Sequence, residues 1–332
     1  MEEKSKSALT VFRSFSKNFW TVIVMEFFER GSYYGVMSVL SVYLILSPAE
    51  GGLGFSKESV GVIKSTITPL LYFLPILSGA IADRFGYRKT LMFAFTVMSL
   101  GYFFTSMVTS YALVFISLIL MVLGAGFFKP VISGTIARST DKSNSTLAFG
   151  IYYWSINLGA FIFPLILIPW LKSMSWSYIF IMAAIGTGWL LVLNLFVYKE
   201  PPKPASAKSI IKVLKDAAFV ITDFRFIIMI VIYAGFWIMY FQQFDTVLWY
   251  MKDYVDKTPV NNLVNSFLGL FVSNPNWKFD VEHVTVINGG TIILLQLVVS
   301  NIVKKTKALP TMIAGITKLI FSLFLCSKKI PG

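Results

Sequence analysis

The hydrophobic residues of this chain form long runs, which short polar segments separate. A helix that crosses the hydrocarbon core of a bilayer needs about 20 mostly apolar residues. Nine stretches approach that length, so the pattern predicts an all-α membrane protein with nine transmembrane helices. The predicted spans are 18–46, 58–82, 90–108, 112–137, 147–171, 177–198, 226–251, 283–303 and 309–327.

A polar, proline-rich segment separates the first six spans from the remainder. Its prolines break helix, and the basic amphipathic stretch at 209–218 predicts a helix that lies on the membrane surface. Two helical bundles joined by a linker are the layout of a two-half transporter. We therefore predict a complete six-helix bundle at 1–198, a cytoplasmic linker at 199–225 and a partial bundle of three helices at 226–332.

Composition and charge agree with a membrane location. Hydrophobic residues make up 56% of the 332 residues and charged residues only 14%, which is far fewer charges than a soluble domain carries. With a cytoplasmic N-terminus, the loops on that side hold 18 Lys and Arg, against 5 on the other side. Cytoplasmic loops are enriched in positive charge. We therefore predict a multi-pass protein of the inner or plasma membrane, and we interpret the net charge of +13 as an orientation signal rather than a nucleic-acid footprint.

The first span carries a polar stripe inside its apolar run. Glu26, Glu29, Arg30, Tyr33 and Tyr34 have the spacing of one helix face. Each charge at the centre of a bilayer costs about 2.5–3.5 kcal/mol or more, so this face is predicted to line a wet cavity or to pair with other spans. Because arginine binds carboxylates bidentately and glutamates change protonation with their surroundings, the stripe suits a carboxylate solute that travels with a proton. A structural ion-pair cluster is the alternative.

A second intramembrane charge lies in the fourth span. Lys129 follows the small residues 124–126 and precedes Pro130. Small residues permit close helix approach, and proline bends a helix. The lysine is expected to find a carboxylate either on the first span or on a substrate. Asn157 adds a neutral donor and acceptor in the fifth span.

Several motifs carry a family resemblance. The segment "GAIADRFGYRK" at 79–89 resembles the cytoplasmic motif of the major facilitator superfamily, in which Asp83, Arg84 and Arg88 are expected to form a gating latch between the halves. The stretch "EFFERGSYYG" resembles the first-helix pattern E-x-x-E-R-x-x-Y-Y-G of the proton-dependent oligopeptide transporter family. The segments "YFLP", "FFKPVIS", "YYWSINLGA", "FWIMYFQQ" and "INGG" resemble further motifs of that family.

The resemblance implies a function, namely proton-coupled symport of di- and tripeptides by alternating access. Arg30 and Lys129 would then hold the peptide carboxylate, and Glu26 and Glu29 would exchange protons. The residues implied to line the pocket are Tyr33, Tyr34, Tyr72, Asn157, Trp237 and Asn288.

The chain departs from the family pattern in two places. The seventh span lacks the common glutamate at 239–241, where Asp245 one turn further on is a candidate substitute. The tenth-helix glutamate that the resemblance implies would hold the peptide amino group lies beyond residue 332. The similarity to the family stops near Gly315, so we expect a truncated or frameshifted reading frame. A transport-inactive fragment and a carrier of another small anion therefore stay open as alternatives.

Enzymatic chemistry has little support in the sequence. The single histidine, His283, stands beside Glu282 at the edge of the eighth span, where a solvated loop-edge role is expected. Cys326 is the only cysteine, and no phosphate-binding glycine loop is present. We therefore expect neither enzyme activity, nor a metal site, nor a cofactor, and we expect small peptides, protons and lipid as the partners.

Overall fold

The computed structural model describes residues 15–141, 144–202, 210–303, 314–315 and 317, and within these ranges it contains helices and no strands. The helices of the first half are α1 (Lys17–Met37), α2 (Leu40–Ile45), α3 (Lys57–Phe85), α4 (Tyr87–Met107), α5 (Tyr111–Arg138), α6 (Ser145–Ile162), α7 (Ile168–Met174), α8 (Trp176–Gly188) and α9 (Leu190–Phe196). Those of the remainder are α10 (Ile210–Val220), α11 (Phe224–Phe241), α12 (Thr246–Tyr254), α13 (Thr258–Leu268) and α14 (Glu282–Val303).

The first eight predicted spans each fall on a helix or on a pair of consecutive helices. Several of these spans are interrupted: a π-turn at Phe163–Leu167 joins α6 to α7, and a 3₁₀ turn at Gln242–Phe244 joins α11 to α12. Six helices of the described chain are long and apolar enough to cross a membrane. The ninth predicted span, 309–327, lies outside the described residues apart from three positions.

Close helix packing holds the first bundle together. Helix α4 packs on α5 and α8, α1 packs on α6 and α8, and α3 packs on α5. A Cβ on Gly124 of α5 would lie 2.6 Å from the carbonyl oxygen of Ala94 in α4, so only glycine fits there. This contact bears out the expected role of the small residues in the fourth span.

The two ends of the bundle differ in chemistry. We call the end formed by residues 83–89, 138–141 and 199–202 the linker face, and the opposite end, formed by 46–56 and 255–281, the loop face. At the linker face Arg138 donates to Asp83 at 2.6 Å, and the backbone N–H of Tyr87 donates to Glu200 at 2.9 Å.

The motif predicted as a gating latch lies at the linker face. Asp83 contacts Arg138 and Tyr87, Arg88 donates to the carbonyl of Leu195, and Arg84 lies over the Phe85 ring. These contacts fall within the first bundle, so a latch between the halves stays a prediction.

The second half covers the first only in part. Helix α14 packs along α6 and the π-turn, and α12 packs against α2. A helix, α10, is found where the amphipathic linker helix is predicted, and it packs against α3. Helix α11 has no buried residue in the described structure.

Candidate functional site

The charged stripe of α1 is buried in the interior of the bundle. Glu26, Glu29 and Arg30 are 1%, 0% and 5% exposed. The Arg30 guanidinium donates to both oxygens of Glu29, with Nη2 2.6 Å from Oε1, and its Nε lies 3.8 Å from Oε1 of Glu26. The stripe is therefore shielded from lipid, as its spacing predicts, and it places two carboxylates around one guanidinium.

Lys129 faces the same region from α5. Its Nζ lies 5.9 Å from the centre of the Tyr72 ring, and its charge lies within electrostatic reach of Glu26, Glu29 and Arg30. Among the residues that the structure describes, no carboxylate lies within ion-pair distance of Lys129. Lys129 is thus a cation beside the stripe that has no direct protein counterion in the described chain.

A small cavity of about 30 Å³ lies between these groups. Its lining residues are Arg30, Tyr33, Tyr34, Met37, Leu71, Tyr72, Lys129, Phe241 and Phe244. One water needs at least about 10–15 Å³, whereas sites for larger ligands measure about 300–1,000 Å³. In this conformation the cavity therefore has room for a water or a very small ion, and a dipeptide does not fit.

A larger cavity of about 740 Å³ adjoins the small one. It runs between α3 and the α11–α12 segment, from Lys57 and Trp249 near the loop face to Tyr72 and Phe241. Because Tyr72 and Phe241 line both cavities, a change in their side-chain positions would join the two volumes.

Five of the eight residues predicted to bind substrate line the small cavity, and these are Arg30, Tyr33, Tyr34, Tyr72 and Lys129. The other three lie elsewhere. Trp237 lines the larger cavity, the Asn157 amide donates to the carbonyl of Tyr153 at 2.8 Å, and the Asn288 amide donates to the Tyr240 hydroxyl at 3.2 Å.

The sequence reasoning missed the aromatic wall formed by Phe241 and Phe244. Phe241 stands one helical turn after Trp237, a spacing that places both rings on one face of α11, and this signal was present in the sequence. Phe244 follows the end of α11, so its position depends on the 3₁₀ turn, which the apolar pattern does not show.

Contacts between the halves close the site toward the loop face. The Phe244 ring stacks on Tyr34 at 6.1 Å, and the Ser41 hydroxyl of α2 donates to the carbonyl of Phe244 at 2.7 Å. One step further out, Nζ of Lys64 lies 3.0 Å from Oδ1 of Asp245, both largely buried. The candidate substitute for the missing glutamate thus pairs with a lysine of the first half.

A second ion cluster joins the halves at the loop face. Lys172 of α7 donates to Asp280 at 2.6 Å and to Glu282 at 2.7 Å, and Lys257 donates to Asp280 at 3.1 Å. Burial raises the pKa of Asp280, but the Lys172 charge and hydrogen bond outweigh that effect and lower the pKa from 3.8 to about 2. Asp280 is therefore a stable anion at the loop face.

The expectation of a solvated histidine is wrong. His283 is 3% exposed, and its ring lies 4.9 Å from that of Trp277 and 5.5 Å from that of Phe279. Residues 275–281, which we call the return segment, lead into α14 and fold over the ring. The position of His283 at a span edge did not reveal this tertiary contact. No group of three potential metal ligands occurs in the described part of the chain.

Residues 19–328 match the family profile of the Major Facilitator Superfamily. The chain belongs to this superfamily. The chain is 30% identical over 259 residues to a di-/tripeptide transporter of Lactococcus lactis subsp. cremoris. The match covers 72% of the chain and 49% of that transporter. It is also 29% identical over 175 residues to dipeptide and tripeptide permease A of Escherichia coli K12. This match covers 51% of the chain and 34% of the permease.

The fold agrees with solved structures of similar proteins. A bacterial homologue of the human drug peptide transporters superposes with a TM-score of 0.66 at 21% identity, covering 86% of the facilitator chain and 70% of that structure. The predicted facilitator-type helical fold is thus confirmed, and so is the likeness to oligopeptide transporters. The facilitator chain spans about half the length of the peptide transporter from Lactococcus lactis.

Proposed function

We propose that this protein carries out proton-coupled symport of di- and tripeptides across the cell membrane by alternating access. The observation that carries the proposal is the buried Glu29–Arg30 pair beside Lys129, a cation without a direct carboxylate partner in the described residues. The relatives are transporters of di- and tripeptides, which supports the same substrate class.

The charges suggest how a proton and a peptide are coupled. The guanidinium of Arg30 donates to both oxygens of Glu29. A substrate carboxylate can therefore bind the guanidinium fully only when these hydrogen bonds break. Protonation removes the negative charge of the glutamate and weakens its charge-assisted hydrogen bonds. The peptide carboxylate then bridges Arg30 and Lys129. Glu26 is the other carboxylate of the stripe that can exchange a proton.

The aromatic side chains would hold the rest of the peptide. Tyr33, Tyr34 and Tyr72 present rings and hydroxyls at the cavity. Trp237 lines the adjoining larger volume, which offers room for a peptide side chain. Asn157 and Asn288 are proposed to join the site after their present hydrogen bonds are exchanged for substrate.

The closed loop face would be the outer gate. We infer from the distribution of positive charge that the N-terminus and the linker face are cytoplasmic, which places the loop face outside. Separation of Lys64 from Asp245 and of Ser41 from Phe244 would then open the site outward. In this proposal Asp245 takes over the role of the seventh-helix glutamate that is absent at 239–241.

The test is uptake of a labelled dipeptide by proteoliposomes that contain the purified chain. We expect uptake to rise with an inward proton gradient and to fall when unlabelled di- or tripeptides compete. Uptake at the same rate with and without the proton gradient would contradict the coupling of peptide to proton transport. Absence of dipeptide uptake would contradict the substrate assignment.

Transport of another small anion is a second candidate, which the small volume between two cations favours. A cavity of about 30 Å³ beside Arg30 and Lys129 suits an ion such as nitrate. The same vesicles distinguish the two: inhibition of dipeptide uptake by dipeptides and not by nitrate favours the peptide carrier, and nitrate uptake without dipeptide uptake favours the anion carrier.

A further inference from the structure

The chain between α12 and α14 forms a folded unit at the loop face. Helix α13 packs against the return segment through two asparagines. Asn265 accepts from the backbone N–H of Trp277 and donates to its carbonyl, both at 2.8 Å, and Asn261 accepts from the N–H of Phe279 at 2.6 Å. These bonds satisfy the backbone of the return segment and fix which face of α13 points inward.

The opposite face of α13 is apolar, and in the described part of the chain it is exposed. Val260, Leu263 and Phe267 share one side of the helix at spacings of three and four residues, and the chain continues into Leu270 and Phe271. Leu263 and Phe267 are 72% and 62% exposed, and Leu270 and Phe271 are 75% and 74% exposed. A contiguous patch of large apolar side chains in water is unfavourable and marks a contact surface.

The position of the helix limits what can cover this face. Only residues 255–257 separate α12 from α13, and three residues reach at most about 10 Å. Lys172, which belongs to a membrane-spanning segment of the first half, holds Asp280 at the other end of the unit. Both attachments keep α13 close to the membrane surface.

The residues around the patch match a lipid headgroup region. Lys252 and Tyr254 lie at the end of α12 just before the unit, and Trp277 and Lys278 lie near the other end of it. Lysines pair with lipid phosphates, and tyrosine and tryptophan concentrate at membrane–water interfaces. An amphipathic helix with an apolar face and a polar face that is satisfied by its own protein fits that environment.

We propose that α13 lies in the lipid leaflet at the loop face, with the side chains of Leu263, Phe267 and Phe271 among the acyl chains. The ligand of this surface is the membrane lipid itself. The contact anchors the unit that carries Asp280, and so it helps to keep Asp280 in reach of Lys172 and Lys257.

The experiment reads the environment of single positions on α13. Cys326 is replaced by Ser, and then Phe267→Cys or Asn262→Cys is labelled with the fluorophore NBD. Asn262 is the matched control because it is exposed on the other side of the same helix. The labelled chains are reconstituted into vesicles of equal parts phosphatidylcholine and phosphatidylglycerol, and quenching by doxyl-labelled lipid is compared with quenching by iodide present on both sides.

We expect the probe at Phe267→Cys to be quenched several-fold more by doxyl lipid than the probe at Asn262→Cys, and several-fold less by iodide. Strong iodide quenching at both positions would overturn the proposal. Protection of the Phe267→Cys probe from both quenchers would also overturn it, since the face would then be covered by protein. Leu263→Cys repeats the test independently if Phe267→Cys disturbs folding, and neither reading depends on peptide transport.

Discussion

Lys129 and Arg30 are the residues whose surroundings distinguish a binding site from a structural ion cluster. Arg30 is held on two sides by Glu29 and Glu26, an arrangement that a purely structural cluster would also adopt. Lys129 differs, because in the described chain it stands beside the cluster without an ion-pair partner of its own. Lys129 is an exposed side chain that lines the small cavity, so a substrate carboxylate could reach it and supply the counterion.

Replacement of Lys129 by Ala should therefore weaken substrate binding rather than folding. A charge-assisted hydrogen bond contributes about 1.5–3 kcal/mol, which corresponds to about a tenfold to hundredfold change in affinity. The measurement is the concentration at which a dipeptide half-saturates uptake, or raises the melting temperature of the purified protein. Lys212→Ala, on the exposed linker helix, is the control. Equal affinities in Lys129→Ala and wild type would argue for the structural cluster.

At the scale of elements, close contact between α1 and α6 positions the charged stripe. A Cβ on Gly159 of α6 would lie 2.7 Å from the carbonyl oxygen of Phe27 and 2.9 Å from the nitrogen of Gly31. Both atoms belong to the backbone of α1, so they cannot move aside as a flexible side chain would. The register of Glu26, Glu29 and Arg30 against the fifth span thus depends on glycine at this position.

Gly159→Ala is expected to destabilise the protein by about 1–3 kcal/mol, because an overpacked interior must shift backbone. The matched control is Gly150→Ala on the same helix, where a Cβ would meet nothing within 4 Å. Alanine is the better helix former, so the control should melt at the same temperature or slightly higher. Thermal unfolding in detergent gives the comparison, and equal losses in both variants would show that the α1–α6 approach does not matter.

The ion pair between α3 and α12 permits a test by charge exchange. Reversal of one charge places two like charges together in a largely buried site, which is expected to cost at least the about 3–5 kcal/mol of leaving one such charge unpaired. Lys64→Asp and Asp245→Lys should each lower the melting temperature, and the double variant should recover most of the loss, since the contact of 3.0 Å is then remade with opposite polarity. Additive losses in the double variant would indicate that the two side chains do not interact.

At the scale of the whole molecule, the described contacts between the halves concentrate at the loop face. The Ser41–Phe244 hydrogen bond, the Lys64–Asp245 pair and the Lys172 cluster all lie on that side of the small cavity. Helix α11 has no buried residue along its described length, so these contacts are what hold α11 and α12 against the first bundle.

The Asp280 cluster makes this closure sensitive to strong acid. The folded-state pKa is lowered to about 2 from 3.8, so its stabilising effect is present above 3.8 and is lost as the pH falls toward 2. Near neutral pH we expect the melting temperature of Asp280→Asn to be a few degrees lower than that of the wild type, because the charge of Asp280 is lost. The loss should be no larger, because the partly exposed ion pair is screened by water. Wild type and variant should converge as the pH falls through this window. Parallel curves down to pH 2 would show that Asp280 does not contribute.

The sequence by itself determined the helical class, the positions of the helices on which the first eight predicted spans fall, and the polar face of α1. These follow from local properties: a helix in lipid must be apolar along about 20 residues, and a charged stripe within it must turn inward. The family resemblance, rather than the apolar pattern, implied that Tyr33, Tyr34 and Tyr72 lie beside Arg30 and Lys129. All five line one small cavity, and their role in substrate binding stays a proposal.

Only the tertiary structure decided which other polar groups meet there. The amides of Asn157 and Asn288 are satisfied by Tyr153 and Tyr240, choices that depend on helix rotation and on the neighbouring span. Phe244 reaches the site because a 3₁₀ turn ends α11, and His283 is buried because the return segment covers it. Such contacts join residues that are distant in sequence, or they depend on a break in a helix. Hydrophobic periodicity predicts neither long-range contacts nor helix breaks.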